Sequence, residues 1–275
     1  MLCKSCNSKI ENNTLNFGNI SKSSDFSKKI DQKKKKYNLK LGSCSKCELI
    51  QIINPINYKK ITPMHKWVMN KEENNHHSSL VERITKNKII NKKSKILALS
   101  HYDNKIISEL NKKGYKNTKI FNLKKDININ KPSLRQEIIQ NFLNKKNSEK
   151  FKKKYGNFDM IISSKVLEHT QNLNNFFIFV KNILNKSGLL IIDVPDCEKS
   201  LKQGNITMIW EEHIFYFVRK TLVNTLNYHG FSKKFFYIYP YKQENSLVGI
   251  FKFKKSIIKK TKKINLLNIF RNRNR

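Results

Sequence analysis

Short apolar runs alternate with helical spacings through the middle of the chain. KILALS (95–100), TKIFNL (118–123), FDMIIS (158–163) and LLIIDVP (189–195) are nearly unbroken apolar stretches, the pattern of strands buried on both faces. Between them, apolar residues recur every three or four positions. The spacing predicts a helix over about 77–92, with Leu80, Ile84 and Ile89 on one face, and a second over 104–114 that Gly114 closes. Further helices are predicted over 132–146, with Pro132 near the start, over 173–188, ending at Gly188, and over 220–230. KFFYIYP (234–240) and SLVGIFKF (246–253) read as a closing strand pair with an antiparallel edge. Strands alternating with helices imply an α/β fold: a largely parallel sheet with helices on both faces.

The ends of the chain read differently. Residues 1–58 form one unit that carries two cysteine pairs around a charged middle, SKKIDQKKKKYN, read as a long exposed hairpin loop. A linker with Pro63 and Trp67 follows, and the α/β domain is expected over 59–255. The tail, 256–275, is basic with a few apolar residues; a frayed, solvated end is expected there, with an amphipathic surface helix as the other reading.

Cys3-x-x-Cys6 and Cys44-x-x-Cys47 carry the clearest chemistry. A CxxC turn aims two thiolates at one centre, and two such turns supply tetrahedral S4 coordination, which suits zinc. Four protein ligands leave no open position, so the site is expected to be structural. The fifth cysteine, Cys197, lies far away in the sequence. No run of about 20 apolar residues occurs, and MLCKSCNSKI has no signal-peptide core, so a cytoplasmic, reducing location without a transmembrane segment is expected.

The net charge of +36 raises the question of a polyanion partner. The lysines are spread along the whole chain, and only six arginines occur, although Arg is the better fork for phosphates and base edges. No specific nucleic-acid partner is therefore expected; a zinc-containing nucleic-acid-binding protein stays a minor alternative.

In open α/β sheets, ligands bind beyond the carboxyl ends of the strands. The tips here are Ser100-His101-Tyr102-Asp103-Asn104, Asn122, Ser163-Ser164-Lys165 and Pro195-Asp196. FDMIISSKVLEHTQNLNNFFIFVKNILNKSGLLIIDVPD (158–196) resembles the second half of a class I S-adenosylmethionine-dependent methyltransferase, with VLEH after a strand, then Gly and an apolar strand. MIWEEHIFYF (208–217) is similar to the Glu-His…Tyr-Phe segment of sugar C-methyltransferases that carry an N-terminal zinc module, and the order of motifs agrees. The resemblance implies a Rossmann-like methyltransferase sheet preceded by a zinc-ribbon-like module. It implies S-adenosylmethionine as cofactor, near Ser100, Tyr102, Asp103, Asn122, Ser164 and Lys165. A small-molecule acceptor such as a nucleotide-linked sugar follows, with His213 as base, Glu212 as its partner and Tyr216 as a nearby hydroxyl. The departures from the pattern are Ala98 in place of an acidic residue, Ser100 and Asn104 in place of glycines, Asn122 in place of a ribose-binding carboxylate, and Trp210 where Tyr is common. They keep open a second reading, a catalytically degenerate methyltransferase-like binding or scaffold protein.

Other polar residues have mainly structural expectations. Glu168 and His169 are expected to serve the fold; His76 and His77 are expected to open the helix that follows, with substrate contact as the other reading. Tyr241, Glu244 and Asn245 are expected away from the cofactor end of the sheet. The acceptor and the oligomeric state are not legible.

Overall fold

A computed structural model describes residues 1–10, 14–23, 34–61, 74–130, 136–253 and 266–273. The first unit is an antiparallel sheet of β1 (Leu15–Ser21), β2 (Lys36–Ser43) and β3 (Ile50–Ile52), followed by the short helix α1 (Tyr58–Ile61). Part of the expected hairpin loop is strand: Lys36 to Asn38 pair with Ser21 to Asn19. Gly42 is required by close approach, since an added Cβ would stand 2.7 Å from the Ile10 side chain.

The second unit alternates as its pattern predicts. In chain order it contains α2 (His76–Lys86), β4 (Ile96–Ala98), α3 (Asn104–Lys112), β5 (Thr118–Ile120), α4 (Leu123–Ile127), α5 (Gln136–Ile139), α6 (Lys145–Tyr155), β6 (Phe158–Ser164), α7 (Leu173–Ile183) and β7 (Leu184–Asp196). After α8 (Glu198–Gln203) and β8 (Phe215–Tyr216) come α9 (Arg219–Tyr228), β9 (Phe231–Tyr239), β10 (Asn245–Phe253) and α10 (Leu266–Arg273). The main sheet has the order β5-β4-β6-β7-β10-β9. Its first four strands are parallel, and β10 lies antiparallel between β7 and β9.

Alternation along each strand feeds two cores, one per face. Leu190, Ile192 and Val194 of β7 pack with Phe151, Phe176, Phe177, Phe179 and Leu222 from α6, α7 and α9. Leu189 and Ile191 pack on the other face with Leu80, Val81 and Ile84 of α2 and Ile106 and Leu110 of α3. Helices thus cover both faces.

Several boundaries differ from the sequence pattern, each for a local reason. α2 stops at Lys86 because Lys88 turns left-handed (φ 47°), which takes Ile89 off the helix. The helix expected over 132–146 is split. Residues 131–135 lie outside the described ones, α5 is short, and Asn144 accepts a hydrogen bond from the Asn147 N–H (3.1 Å) to cap a new helix, α6. KKNSEKFKKKY hides that helix because Phe151 is its one strong apolar residue. β7 begins at Leu184, so Gly188 lies inside a strand rather than ending a helix.

The two units share a core. β8, from beyond the main sheet, pairs antiparallel with β3. Leu39, Leu41, Ile50 and Ile52 pack with Tyr216, Val218, Leu201 and the tail residues Leu267 and Phe270. The last described stretch of the tail is therefore a docked helix and not a solvated end. Leu267 and Phe270, three apart on one face, are each 1% exposed, and Arg271 donates to the Thr14 carbonyl (2.9 Å). Residues 254–265 lie outside the described ones.

Candidate functional site

Three buried polar clusters carry chemistry. In the first, Cys3, Cys6, Cys44 and Cys47 hold their sulfurs within 4.8 Å of one another. Cys3 and Cys47 Sγ are 3.6 Å apart, and Cys6 and Cys44 Sγ 3.4 Å. A tetrahedral ion with bonds of about 2.3 Å requires sulfur separations near 3.8 Å, so the four thiolates can hold one. The two turns are built alike. Asn7 N–H donates to the Cys3 carbonyl (3.0 Å) and Glu48 N–H to that of Cys44 (3.1 Å). Asn7 and Glu48 are both left-handed, with φ of 54° and 63°. Backbone N–H groups then point at sulfur: Ser5 to Cys3, and Lys46 and Cys47 to Cys44, each at 3.4 Å. The Gln51 amide adds a bond to Cys3 (3.2 Å). Hydrogen bonds from Cys44 and Cys47 bring the Cys3 thiol down to about 6.

The second cluster lies at the carboxyl ends of β4, β6 and β7. Ser100, two residues beyond β4, closes a tight turn over 101–103: its Oγ accepts from Tyr102 N–H (3.2 Å), and its own N–H donates to Asp103 Oδ2 (3.4 Å). Asp103 is fully buried, and Oδ1 has no hydrogen-bond partner among the described residues. Burial pushes its carboxyl up to about 7 despite help from Ser164 and the Ser100 N–H. Beyond β6, Lys165 adopts φ 55° and sends its Nζ to Ser246 Oγ (3.2 Å) and to Asp193 Oδ1 (3.6 Å). His76 Nε2 meets Asp193 Oδ2 at 2.9 Å, and His77 Nε2 stands 3.5 Å from the same oxygen. Ser246 also donates to Asp193 Oδ1. Burial works to raise the Asp193 carboxyl, but Lys165 and the two imidazoles hold it well below the usual range. Tyr241 Oη accepts from the His76 backbone N–H (2.9 Å) and lies 2.7 Å from its Nδ1.

The third cluster is Glu168, His169 and His213, whose ligand-type atoms also lie within 4.8 Å of one another. The 208–217 segment folds against the turn after β6: Ile214 N–H donates to the Glu168 carbonyl (2.7 Å), and His169 Nδ1–H donates to the Glu212 carbonyl (3.0 Å). The His213 ring meets His169 edge-on at 4.7 Å and lies nearly parallel to Trp210 at 6.2 Å. Burial, with His169 and Lys165 nearby, lowers the His213 imidazole well below its ordinary value. Tyr216 Oη donates to the Trp210 carbonyl and accepts its N–H, both at 3.0 Å, and Glu211 accepts from Ser23 N–H and Oγ–H.

A match to a family model described as "Methyltransferase domain" spans residues 69–233, well over half of the chain. The chain belongs to that family. No curated protein matches it. Among solved structures, the methyltransferase domain is similar to the Burkholderia thailandensis 1,6-didemethyltoxoflavin-N1-methyltransferase, crystallised with 1,6-didemethyltoxoflavin and S-adenosylhomocysteine. That likeness has a TM-score of 0.43 and 10% identity, and covers 66% of this chain and 77% of that one. A SAM-dependent methyltransferase from Anabaena variabilis gives 0.43, 7%, 66% and 86%. An S-adenosylmethionine-dependent methyltransferase from Clostridium acetobutylicum gives 0.37, 10%, 67% and 93%. Likenesses this remote do not bear on function.

The methyltransferase domain makes S-adenosylmethionine the cofactor to be tested against the strand tips. Asp103 carries the fit: a buried carboxyl with one oxygen that makes no close hydrogen bond among the described residues suits a ligand whose ammonium and sulfonium are both cationic. Asn122, half-buried at the end of β5, has its Oδ1 committed to capping α4 through Lys125 N–H (2.9 Å), which leaves its amide nitrogen to donate. Ser164 is fully buried beside this turn. Ser100 and Tyr102 narrow the space that glycines would open, and Tyr102 leans on His77 with ring centroids 5.8 Å apart.

The expected residues thus fall into two groups. Ser100, Tyr102, Asp103, Ser164 and Lys165 gather at the β4 and β6 tips, with Asn122 at the neighbouring β5 tip, while Glu212 and His213 lie in the 208–217 segment that packs on the turn after β6. Tyr216 lies in β8, with its hydroxyl held by the Trp210 backbone. The sequence reading missed Tyr241 as part of this end of the sheet. The antiparallel return of β10 puts the β9–β10 turn beside the carboxyl end of β7, with Asn245 opposite Asp196. Trp67, Asn70, Lys71 and Glu72 lie outside the described residues. An open groove of about 690 Å³ sits at the opposite, amino-terminal end of the sheet, lined by Lys88, Lys92, Tyr115 and Asp159, away from all this chemistry. No helix among the described residues is long and apolar enough to cross a membrane.

Proposed function

We propose that the chain transfers a methyl group from S-adenosylmethionine to carbon in a small carbonyl-bearing acceptor, of the nucleotide-linked sugar class. The observation that carries this reading is the placement of the His213 imidazole between His169 and Trp210 beside the β6 tip, where its surroundings disfavour the protonated form. Carbon methylation next to a ketone needs a base that is unprotonated at working pH, and a half-buried imidazole whose charged form is disfavoured meets that need. His213 takes the α-proton. The His169–Glu212 carbonyl bond orients the pair, and Tyr216 fixes the segment through Trp210. Asp103 receives the cationic end of the cofactor, Asn122 its ribose, and Ser100, Tyr102, Ser164 and Lys165 line the same tips. The bound cofactor supplies an electrophilic methyl group. Zinc at the four cysteines holds the first unit against β8, which is continuous with the catalytic segment.

The second reading, a methyltransferase-like binding or scaffold protein, is favoured by one observation: the Ser100 and Asp103 side chains already satisfy the β4 turn that glycines would leave open. Calorimetry separates the two. Cofactor binding at micromolar to millimolar concentration supports the enzyme; silence at millimolar cofactor removes it. For the chemistry, His213→Ala is expected to keep cofactor binding and lower turnover about 10²–10⁴-fold. Unchanged turnover rules out the base.

A further inference from the structure

His76, His77 and Asp193 form a group that methyl transfer does not use. All three are buried: His76 is 4% exposed, and His77 and Asp193 are at 0%. The Asp193 Oδ2 atom is approached by His76 Nε2 at 2.9 Å and by His77 Nε2 at 3.5 Å. One carboxylate oxygen therefore faces two imidazole nitrogens, and His77 stands at the far edge of hydrogen-bond distance. Neither His77 ring nitrogen has a hydrogen-bond partner among the described residues, although the side chain is fully buried. A fully buried imidazole that makes no close hydrogen bond is destabilising. An orphan of this kind calls for a ligand.

We propose that Asp193 Oδ2, His76 Nε2 and His77 Nε2 bind a divalent transition-metal ion, as a two-histidine, one-carboxylate site separate from the four-cysteine centre. Bonds of about 2.0–2.1 Å, the length for imidazole and carboxylate on zinc, put neighbouring ligand atoms roughly 2.9–3.4 Å apart, close to the two oxygen–nitrogen distances of 2.9 and 3.5 Å. The donor set, two imidazoles and a carboxylate with positions left open, is the pattern of non-haem iron and related sites. Surrounding groups hold the ligands in place. Tyr241 Oη sits 2.7 Å from His76 Nδ1, so a proton moved to Nδ1 frees Nε2 for the ion and donates to the tyrosine. Ser246 and Lys165 bind the other Asp193 oxygen and leave Oδ2 facing the histidines. Lys165 already balances Asp193, so the ion brings uncompensated positive charge. The open positions are accordingly suited to an anionic oxygen ligand, a hydroxide or a carboxylate.

The test is anaerobic titration of the full chain with cobalt(II), read by absorption and by metal content after desalting. Two equivalents are expected. One shows thiolate-to-cobalt charge transfer from the cysteines; the other shows only the weak ligand-field bands of nitrogen and oxygen ligands. His77→Phe and His76→Gln are each expected to lower the second affinity at least tenfold and to leave the thiolate band intact. That band reports a folded first unit in the same sample, and a circular dichroism melt reports the main sheet. A single equivalent, or a second equivalent unchanged in both folded variants, overturns the proposal.

Discussion

The four-cysteine centre and the cluster around Asp193 are both buried polar groups, yet they are built in opposite ways. Each cysteine turn is made by neighbours in sequence: backbone N–H groups at 3.4 Å aim at sulfur because the chain reverses within four residues. The Asp193 cluster draws on four separate segments, with His76 from α2, Lys165 from beyond β6, Tyr241 from the β9–β10 turn and Ser246 from β10. Local spacing writes the first into the sequence. Only the order of strands in the sheet creates the second.

The largest expected effect tests the first half of this contrast. Cys44→Ser removes one ligand and the acceptor of two backbone N–H groups. Structural zinc sites contribute about 10–16 kcal/mol to folding in isolated fingers. If the four cysteines hold zinc as proposed, the variant is expected to bind metal far less tightly and to lose the β1–β3 sheet. Tryptophan fluorescence, compared with a Trp67→Phe background so that Trp210 beside the β8 segment is the reporter, and metal content together check this. Retention of one equivalent of metal with native spectra breaks the comparison, because the centre would then not hold its unit together.

The Asp193 cluster should fail differently. Asp193→Asn leaves the Lys165 ammonium buried without its counter-charge, and removing one partner of a buried pair costs about 3–5 kcal/mol. For a domain of this size that lowers the melting temperature by roughly 6–20 °C. Adding Lys165→Met should restore most of the loss, since replacing a whole buried pair by apolar side chains is near neutral. A double variant as unstable as the single one shows that Asp193 acts through the histidines instead.

Much of the main fold was legible for the reason the cysteines were. Four apolar runs became β4–β7, and KFFYIYP with SLVGIFKF became the β9–β10 pair. What stayed hidden depended on distant partners. α6 carries a single strong apolar residue, Phe151, whose partners Phe121, Phe158 and Phe179 come from elsewhere in the chain. Leu267 and Phe270 looked like stray apolar residues in a basic tail until the first sheet and α8 supplied their surface. In the candidate site, His213 and the strand tips could be named from motifs. The pairing of His76 with Tyr241 could not, because it needs β10 inserted between β7 and β9.

A smaller effect concerns pH and sharpens the contrast between the two clusters. The Asp103 carboxyl stands at about 7 in the fold against an ordinary 3.8, so the folded state keeps its proton longer than the unfolded chain. Its share of stability is full below pH 4. It is lost as pH rises toward 7, and the total loss above 7 is about 4 kcal/mol. Asp103→Asn cannot ionise. Allowing about 1 kcal/mol for a poorer hydrogen bond, it should be roughly 2–3 kcal/mol more stable than the parent at pH 8. Melting curves from pH 4 to 8 check this, and parallel curves for parent and variant mean that the carboxyl is not raised.

The smallest effect probes the place where the first unit meets the second. Glu48 occupies the left-handed position of the second cysteine turn, a conformation that costs a non-glycine residue about 1–2 kcal/mol. Lys220 of α9 grips its carboxylate at 2.8 and 2.9 Å, both groups being partly buried. A pair that still reaches solvent on both sides contributes about 1 kcal/mol. Lys220→Met should therefore lower the melting temperature by only about 2–4 °C, less in high salt. Glu48→Gly removes the same pair but also the backbone strain, so its stability should equal or exceed that of the parent. If Lys220→Met and Glu48→Gly are equally destabilised, then the turn is unstrained and α9 holds the cysteine unit by charge alone.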